Sequence, residues 1–331
     1  MTTKRVAYGD LSNNLPSRYW QRLSGCGARA RSHRAASFHV GAVLRGVPLT
    51  IVYLCALCCL VASPSAHAQD ERSLLPWETS LAVQLGYPFG FVQVGENQYP
   101  GNRLAFHRDL GVDLCETVNL ALRYRFTPED AVHVSAQMLF LDGSTTLPRD
   151  VFFNGTKLQS GTTLDTTTNF PDFFRLTAMY ERYLLPFGDR GTVTGRAGLT
   201  FVGLNFRLHG TVAPNSPGNE TKEDFITQEL PVPLLGFRLD YPATDRVSLV
   251  AALDGGYLPW VNSGRSEGGT VSLTQSHLDA TAGVRYAVLS SLSLEGGAQF
   301  SYFVQREQSH EDDNYIQLST LGLILDARYT F

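Results

Sequence analysis

An alternation of apolar and polar side chains with a period of two is the feature that most constrains the fold of this chain. Leu120, Leu122 and Tyr124, for example, alternate with Ala121 and Arg123. Successive side chains of a β-strand point to opposite faces, so this segment predicts a strand with one apolar and one charged face. The pattern recurs along the chain after residue 76, and a helical period is absent from nearly every window.

The alternation predicts ten strands separated by connections of two kinds. The strands are 77–87, 116–126, 131–141, 172–184, 192–204, 232–241, 246–257, 276–287, 291–303 and 315–331. Short turns rich in Pro, Gly, Asp and Ser alternate with long polar segments, as in a barrel with short periplasmic turns and long extracellular loops. Strands that face lipid must close into a barrel, because an open sheet leaves unpaired backbone groups. We therefore expect an all-β, antiparallel transmembrane β-barrel of about ten strands, with eight and twelve as open alternatives.

The N-terminal part has the features of an export signal. An apolar run of about 16 residues, Val47–Ala62, follows Arg45 and precedes the small-residue pattern at Ala66 and Ala68. A membrane-spanning helix needs roughly 20 apolar residues. We expect residues 1–68, with their extended basic region, to be removed as a signal peptide. Residues 69–331 would then form the barrel domain, and the position of the true start codon is left open.

Composition and cysteine content narrow the classes of function. A charged fraction of 18% and a net charge of −4 favour neither disorder nor nucleic-acid binding. Four of the five cysteines lie in the predicted signal region, which leaves Cys115 without an intramolecular disulfide partner. We therefore expect no disulfide framework, no metal site and no cofactor.

The polar face of the predicted strands carries many charged residues, which would line the lumen. They are Arg123, Arg125, Arg175, Glu181, Arg196, Arg238, Asp240, Asp254, Asp279, Arg285, Glu295, Asp326 and Arg328. One interpretation is a charged lining that selects solutes in a narrow or gated channel. The alternative is a lumen filled by mutual salt bridges, because a barrel of this size is only slightly wider than the eight-stranded kind that side chains fill.

Aromatic residues gather at the ends of the predicted strands, as in the two aromatic girdles of membrane barrels. The predicted periplasmic girdle comprises Trp77, Phe126, Tyr183, Tyr241, Tyr286, Tyr329 and Phe331. The predicted outer girdle comprises Tyr87, Phe140, Phe174, Phe201, Tyr257, Trp260, Phe300, Tyr302 and Tyr315.

The C-terminal segment 321–331 carries the strongest motif, an alternating strand that ends on an aromatic residue. Its outward residues include Leu323, Leu325, Ala327, Tyr329 and Phe331. This segment resembles the C-terminal β-signal of bacterial outer-membrane proteins, which implies partners in the barrel assembly machinery and periplasmic chaperones.

A second likeness lies in residues 102–112 and the strand and turn at 123–128, which look like the small outer membrane protein beta-barrel domain and porin-like families. The resemblance covers residues 75–331 in architecture. It implies a monomeric protein of the Gram-negative outer membrane that contacts lipid and lipopolysaccharide and binds no nucleic acid.

Two motifs suggest an enzyme and define the alternative function. His133-Val134-Ser135 resembles the His-x-Ser pair of lipid A deacylases, but it falls beside a predicted periplasmic turn, away from the outer leaflet. An omptin-like protease needs an Asp pair and an Asp–His pair on the outer rim. His107, Asp109 and Asp113 share a loop, but no matching second pair is evident. We therefore expect a narrow or gated channel, or a structural membrane protein with surface loops, rather than an outer-membrane enzyme. The sequence identifies no transported solute or loop ligand.

Overall fold

The computed structural model describes residues 76–96, 100–168, 172–211, 219–223, 230–266 and 270–331. The expected signal peptide at 1–68 lies outside the described residues and stays a prediction. No helix within the described ranges is long and apolar enough to cross a membrane.

Ten long antiparallel strands form a closed barrel, which confirms the predicted fold class and strand number. They are β1 (Trp77–Gln93), β2 (Val112–Arg125), β3 (Asp130–Thr146), β4 (Phe173–Phe187), β5 (Gly191–Leu204), β6 (Val232–Pro242), β7 (Val247–Ser266), β8 (Thr270–Ala287), β9 (Leu292–Gln308) and β10 (Asp313–Thr330). Each strand pairs with its neighbours in chain order. Pairing of β1 with β10, from Glu78↔Thr330 to Gln93↔Tyr315, closes the barrel.

Most strands extend farther towards the long loops than the sequence predicts. β1 continues to Gln93 rather than residue 87, and β7 continues to Ser266 rather than residue 257. The alternation of apolar and polar residues ends where the outer wall no longer faces an apolar environment. The backbone hydrogen bonds between the strands continue beyond that point. We call this end of the barrel the loop end and the opposite end the turn end.

The predicted loops also contain strands, which corrects the expectation of irregular polar segments. The additional strands are Leu104–Ala105, Val151–Phe153, Thr156–Leu158, Thr163–Thr167, Phe206–Thr211 and Asn219–Glu223. Thr163–Thr167 pairs with the end of β3 and with Phe206–Thr211, so it extends the barrel wall. Thr-rich sequence has β propensity but no apolar face, and the alternation criterion therefore missed it.

The barrel is apolar outside and charged inside, the reverse of a soluble protein. On β10, Leu323 is 73% exposed on the outer face, whereas Asp326 is 5% exposed on the inner face. Leu235, Phe237 and Leu325 are also exposed on the outside. Such a wall suits a barrel that spans a lipid bilayer. Several predicted girdle aromatics are exposed on this surface, including Trp77, Tyr87, Phe126, Tyr183, Tyr257, Trp260 and Tyr286.

A separate apolar core fills the loop end. It includes Val92, Phe106, Phe153, Phe206 and Leu318, all at most 4% exposed. The ring of Phe206 lies 6.0 Å from that of Phe106 and 6.3 Å from that of Phe153. Described residues of the segments 94–111 (loop 1), 147–172 (loop 2) and 205–231 (loop 3) therefore contribute to one packed cluster.

The hairpin of loop 2 turns at Asn154 and Gly155, where both residues have positive φ angles of 48° and 63°. Consecutive positive φ values are typical of a tight hairpin turn, for which Asn-Gly is the preferred sequence. The Asn-Gly-Thr motif at 154–156 thus forms a turn.

We predict that the same substitution destabilises the barrel to different extents at two adjacent apolar positions. Leu323 faces outward, whereas Ile324 lines the polar lumen. Leu323→Arg should destabilise the inserted barrel by about 2–4 kcal/mol, because it places a charge in hydrocarbon. Ile324→Arg should cost less, since its guanidinium shares the cavity with Asp326. Equal losses of heat-modifiable protein in membranes would contradict the facing of β10.

The last residue gives a second prediction. Phe331 and Trp77 exchange backbone hydrogen bonds of 2.9 and 3.3 Å, and the Phe331 ring stacks on Tyr329 at 6.0 Å. Deletion of Phe331 should reduce the yield of folded protein in outer membranes, because it removes the aromatic end of the predicted insertion signal. Phe331→Tyr is the matched control and should retain most of the yield. An undiminished yield after deletion would argue against the signal.

Candidate functional site

The interior of the barrel is the candidate site, because the ionisable side chains converge there. All thirteen charged residues predicted for the lumen line one or both of its two larger cavities. Glu78 joins them and was missed from the sequence. It stands beside Trp77 at the start of β1, but it shares the inward parity of Ala82 and Gln84, which is the signal that identifies it. With Glu78, these inward strand positions hold seven arginines and seven carboxylates, and Glu129 and Asp130 also line the cavity at the turn end.

Half of the charges form a network towards the turn end, centred on Glu295 of β9. Its Oε2 atom lies 2.9 Å from Arg285 Nη2, 3.3 Å from Arg328 Nη2 and 3.9 Å from Arg238 Nη2. Arg238 and Arg285 also contact Asp240, at 2.7 and 2.9 Å. Arg328 also contacts the carboxylates of Asp326 on β10 and Glu78 on β1. These contacts join five strands, namely β6, β8, β9, β10 and β1.

A second group of charges surrounds Glu181 of β4. Arg123 Nε donates to Glu181 Oε2 at 2.6 Å, and Arg196 Nε donates to Oε1 at 3.2 Å. Arg196 also donates to Asp254 of β7. Glu181 is 3% exposed, so the two arginines replace the water that its charge would otherwise require.

Two contacts cross the lumen. Arg175 Nη1 of β4 lies 2.7 Å from Asp279 Oδ2 of β8, four strands away around the wall. Phe173, also on β4, packs against Phe303 of β9 with a ring distance of 5.7 Å. β4 and β9 are five strands apart in either direction, so these rings meet from opposite walls. The cavity beside these contacts measures only about 40 Å³, enough for one or a few water molecules.

His277 lies beside these contacts, and the predicted strand 276–287 would place it at a strand end. β8 begins at Thr270, so His277 falls within the strand and is 4% exposed. Its ring lies 5.2 Å from the ring of Phe303. Among the described residues, its Nε2 atom has no hydrogen-bond partner.

The motif residues His133 and Ser135 both face the main cavity, on the turn-end half of β3. His133 Nδ1 has no hydrogen-bond partner within the described ranges. The cavity is lined by the arginines and carboxylates described above. A lipid in the outer leaflet would be separated from this pair by the barrel wall and by the contacts across the lumen.

The loop residues that suggested a protease form an exposed pair on a different surface. His107 Nδ1 lies 2.9 Å from Asp113 Oδ1, and both side chains are more than half exposed. The His107 ring lies 5.2 Å from Tyr87, whose side chain faces outward. This pair is therefore on the outer wall rather than over the lumen.

Asp109, the third residue of that motif, has a structural contact set of its own. It accepts hydrogen bonds from Arg108 Nη2 and from the Ala105 amide, each at 2.9 Å. Burial opposes the charged form, but these two donors hold the pKa of Asp109 below its usual value. Its carboxylate is thus engaged within loop 1 and does not extend the His107 pair.

Cys115 is a free, buried thiol. No group of three or more His, Cys, Asp or Glu side chains with metal-binding geometry occurs among the residues that the structure describes.

No family model matches the chain, and no curated protein sequence matches it. Among solved structures, the chain is similar to the outer membrane protease OmpT from Escherichia coli, at 12% identity and a TM-score of 0.46 over 77% of this chain and 97% of that chain. It is also similar to the translocator domain of the autotransporter NalP from Neisseria meningitidis, at 12% identity and a TM-score of 0.35 over 86% and 95%. Ail, the attachment invasion locus protein of Yersinia pestis, matches at 11% identity and a TM-score of 0.25 over 76% and 99%. These similarities are too distant to carry a functional argument, which must come from the residues of this chain.

We predict that the interior network is a major source of stability, with Glu295 as its most sensitive member. Glu295→Gln removes the charge that three arginines share, and it should cost about 3 kcal/mol because those arginines are confined. Glu129→Gln is the matched control: its exposed side chain makes one weak contact of 3.9 Å with Arg182, and the change should cost less than about 0.5 kcal/mol. Urea unfolding in micelles measures both. Equal stabilities would contradict the central role of Glu295.

Proposed function

We propose that this protein is a closed barrel of the Gram-negative outer membrane, which supports a folded set of loops at the cell surface and does not act as an open diffusion pore. The observation that carries the proposal is the pair of cross-lumen contacts, Arg175 with Asp279 and Phe173 with Phe303. An open porin keeps a water-filled channel through its interior. Here the channel is interrupted by side chains from opposite walls.

The apolar core at the loop end supports the same proposal. Phe173, Phe303 and Leu318 of the barrel wall belong to the buried cluster that includes Phe106 and Phe153 of the loops. Loop 1 and loop 2 are also joined by hydrogen bonds, since Asn102 N donates to Phe152 O at 2.8 Å and Phe152 N donates to Asn102 Oδ1 at 2.6 Å. These contacts cover the outer side of the closure, so the loops serve as a lid as well as a surface.

The proposed location rests on the apolar outer wall and on the sequence features of export. We propose that residues 1–68 are removed during secretion and that the turn end faces the periplasm. In this orientation, the cavity lined by Arg125, Pro128 and Glu129 opens towards the periplasm. We propose no enzymatic activity, because the His-x-Ser pair lies in the lumen and the His107–Asp113 pair lies on the outer wall.

A gated channel is the second candidate, and one observation favours it. The main cavity, lined by charged groups such as Arg196 and Asp254, reaches the closure from one side, and a small cavity lined by Gln84 and Thr117 lies beside the closure. Polar space on the path of the lumen is what a conducting state would need. Separation of the two contacts across the lumen would be the opening step.

Conductance in planar bilayers distinguishes a closed barrel from an open pore. The wild-type mature chain should conduct poorly, and the triple variant Phe173→Ala, Arg175→Ala, Phe303→Ala should conduct several times better because both contacts are removed. Ser80→Ala, which changes a lumen residue near the turn end of β1, is the control and should conduct like wild type. A large, steady wild-type conductance would refute the closed barrel. Voltage-dependent openings of the wild type would favour the gated channel.

A further inference from the structure

A row of aromatic and arginine side chains crosses the outer wall at the loop end. Tyr315 of β10 lies in register with Arg306 of β9 on one side and Gln93 of β1 on the other. Trp260 of β7 is exposed beyond Arg306, and Arg103 of loop 1 reaches over the β1 side. We call these residues, together with Phe91, the outer row.

Arg103 lies over two aromatic rings of the outer row. Its guanidinium carbon lies 4.7 Å from the centre of the Phe91 ring and 5.7 Å from that of Tyr315. Nε donates to Gln93 Oε1 at 3.1 Å. Arginine has five N–H donors, and within the described residues no partner is seen for the four on its Nη atoms. The side chain is thus fixed in position with its terminal donors available.

Arg306 is placed in a similar way on the other side of Tyr315. Its guanidinium carbon lies 5.9 Å from the centre of the Trp260 ring, and the side chain is 44% exposed. Asp313 is its one ion-pair partner in the described part of the chain, at 3.4 Å from Nη2. Asp313 is therefore the one carboxylate that pairs with Arg103 or Arg306 in the described part of the chain. The outer row thus carries a net positive charge.

The outer row lies at the border of the apolar wall. Phe89 of β1 and Phe300 of β9, whose rings are 6.2 Å apart, occupy the wall on the side towards the middle of the barrel. The loops and their hydrogen-bonded strands begin on the other side. In a bilayer this border is the level of the lipid headgroups, where aromatic side chains contact both acyl chains and polar groups.

We propose that Arg103 and Arg306 bind the phosphate groups of a phosphorylated glycolipid of the outer leaflet. Planar guanidinium groups bind phosphate through paired hydrogen bonds, and a site that is already fixed by aromatic stacking loses little entropy on binding. The rings of Phe91, Tyr315 and Trp260 would contact the sugar and the first acyl carbons. The orientation rests on the proposed function, because it places the loop end at the cell surface.

Titration of the purified mature protein in micelles tests the site, with bisphosphorylated lipid A as the probe and native mass spectrometry as the readout. The double variant Arg103→Gln, Arg306→Gln should bind at least about tenfold more weakly, because two charge-assisted contacts are lost. Arg182→Gln, Arg190→Gln is the matched control: it removes two exposed arginines at the turn end and should bind like wild type.

Two further measurements identify the ligand chemistry. Dephosphorylated lipid A should bind wild type as weakly as lipid A binds the double variant, and inorganic phosphate at millimolar concentration should not displace lipid A. Equal binding by wild type and the double variant would overturn the site, and so would indifference to lipid phosphorylation. Displacement by inorganic phosphate would overturn the lipid as the source of the phosphate. Wild-type conductance is measured separately, so an open pore would refute the closed barrel without affecting this result.

Discussion

The hydrogen-bond ladder between β1 and β10 is the interaction on which the rest of the structure depends. It runs from Glu78↔Thr330 to Gln93↔Tyr315 and leaves neither strand with an open edge. In hydrocarbon an unpaired backbone amide or carbonyl costs several kcal/mol, so an outer wall of leucine and phenylalanine is tolerated only on a closed sheet. Two backbone hydrogen bonds between Trp77 and Phe331 extend this ladder to the last residue of the chain.

Closure creates a confined interior, and the interior determines which charges the chain can carry. Ten strands enclose a narrow interior, so a charge buried there needs an opposite charge or water beside it. Glu295 forms ion pairs with three arginines, and Glu181 forms ion pairs with two.

At the loop end the largest buried side chains are apolar, in contrast to the charged side chains of the lumen. Beyond the bilayer the strands continue in water, and there the buried cluster around Phe106, Phe153 and Phe206 is an ordinary apolar core. This core meets the charged lumen at the level of Phe173 and Phe303, whose rings meet from opposite walls. On the outer wall at the same end, Arg103 and Arg306 stand on aromatic rings and are exposed to whatever surrounds the barrel.

The sequence by itself determined the strands, their faces and the inward position of thirteen charges, because a period of two assigns each side chain to a face from local information alone. It missed Glu78, where the alternation had barely begun, and it read the Thr-rich loops as irregular, since their strands have no apolar face. Only the tertiary structure decided that Arg175 meets Asp279 and that Phe173 meets Phe303. Those contacts join strands on opposite walls, and their distance depends on the circumference and stagger of the closed barrel, which no local pattern encodes.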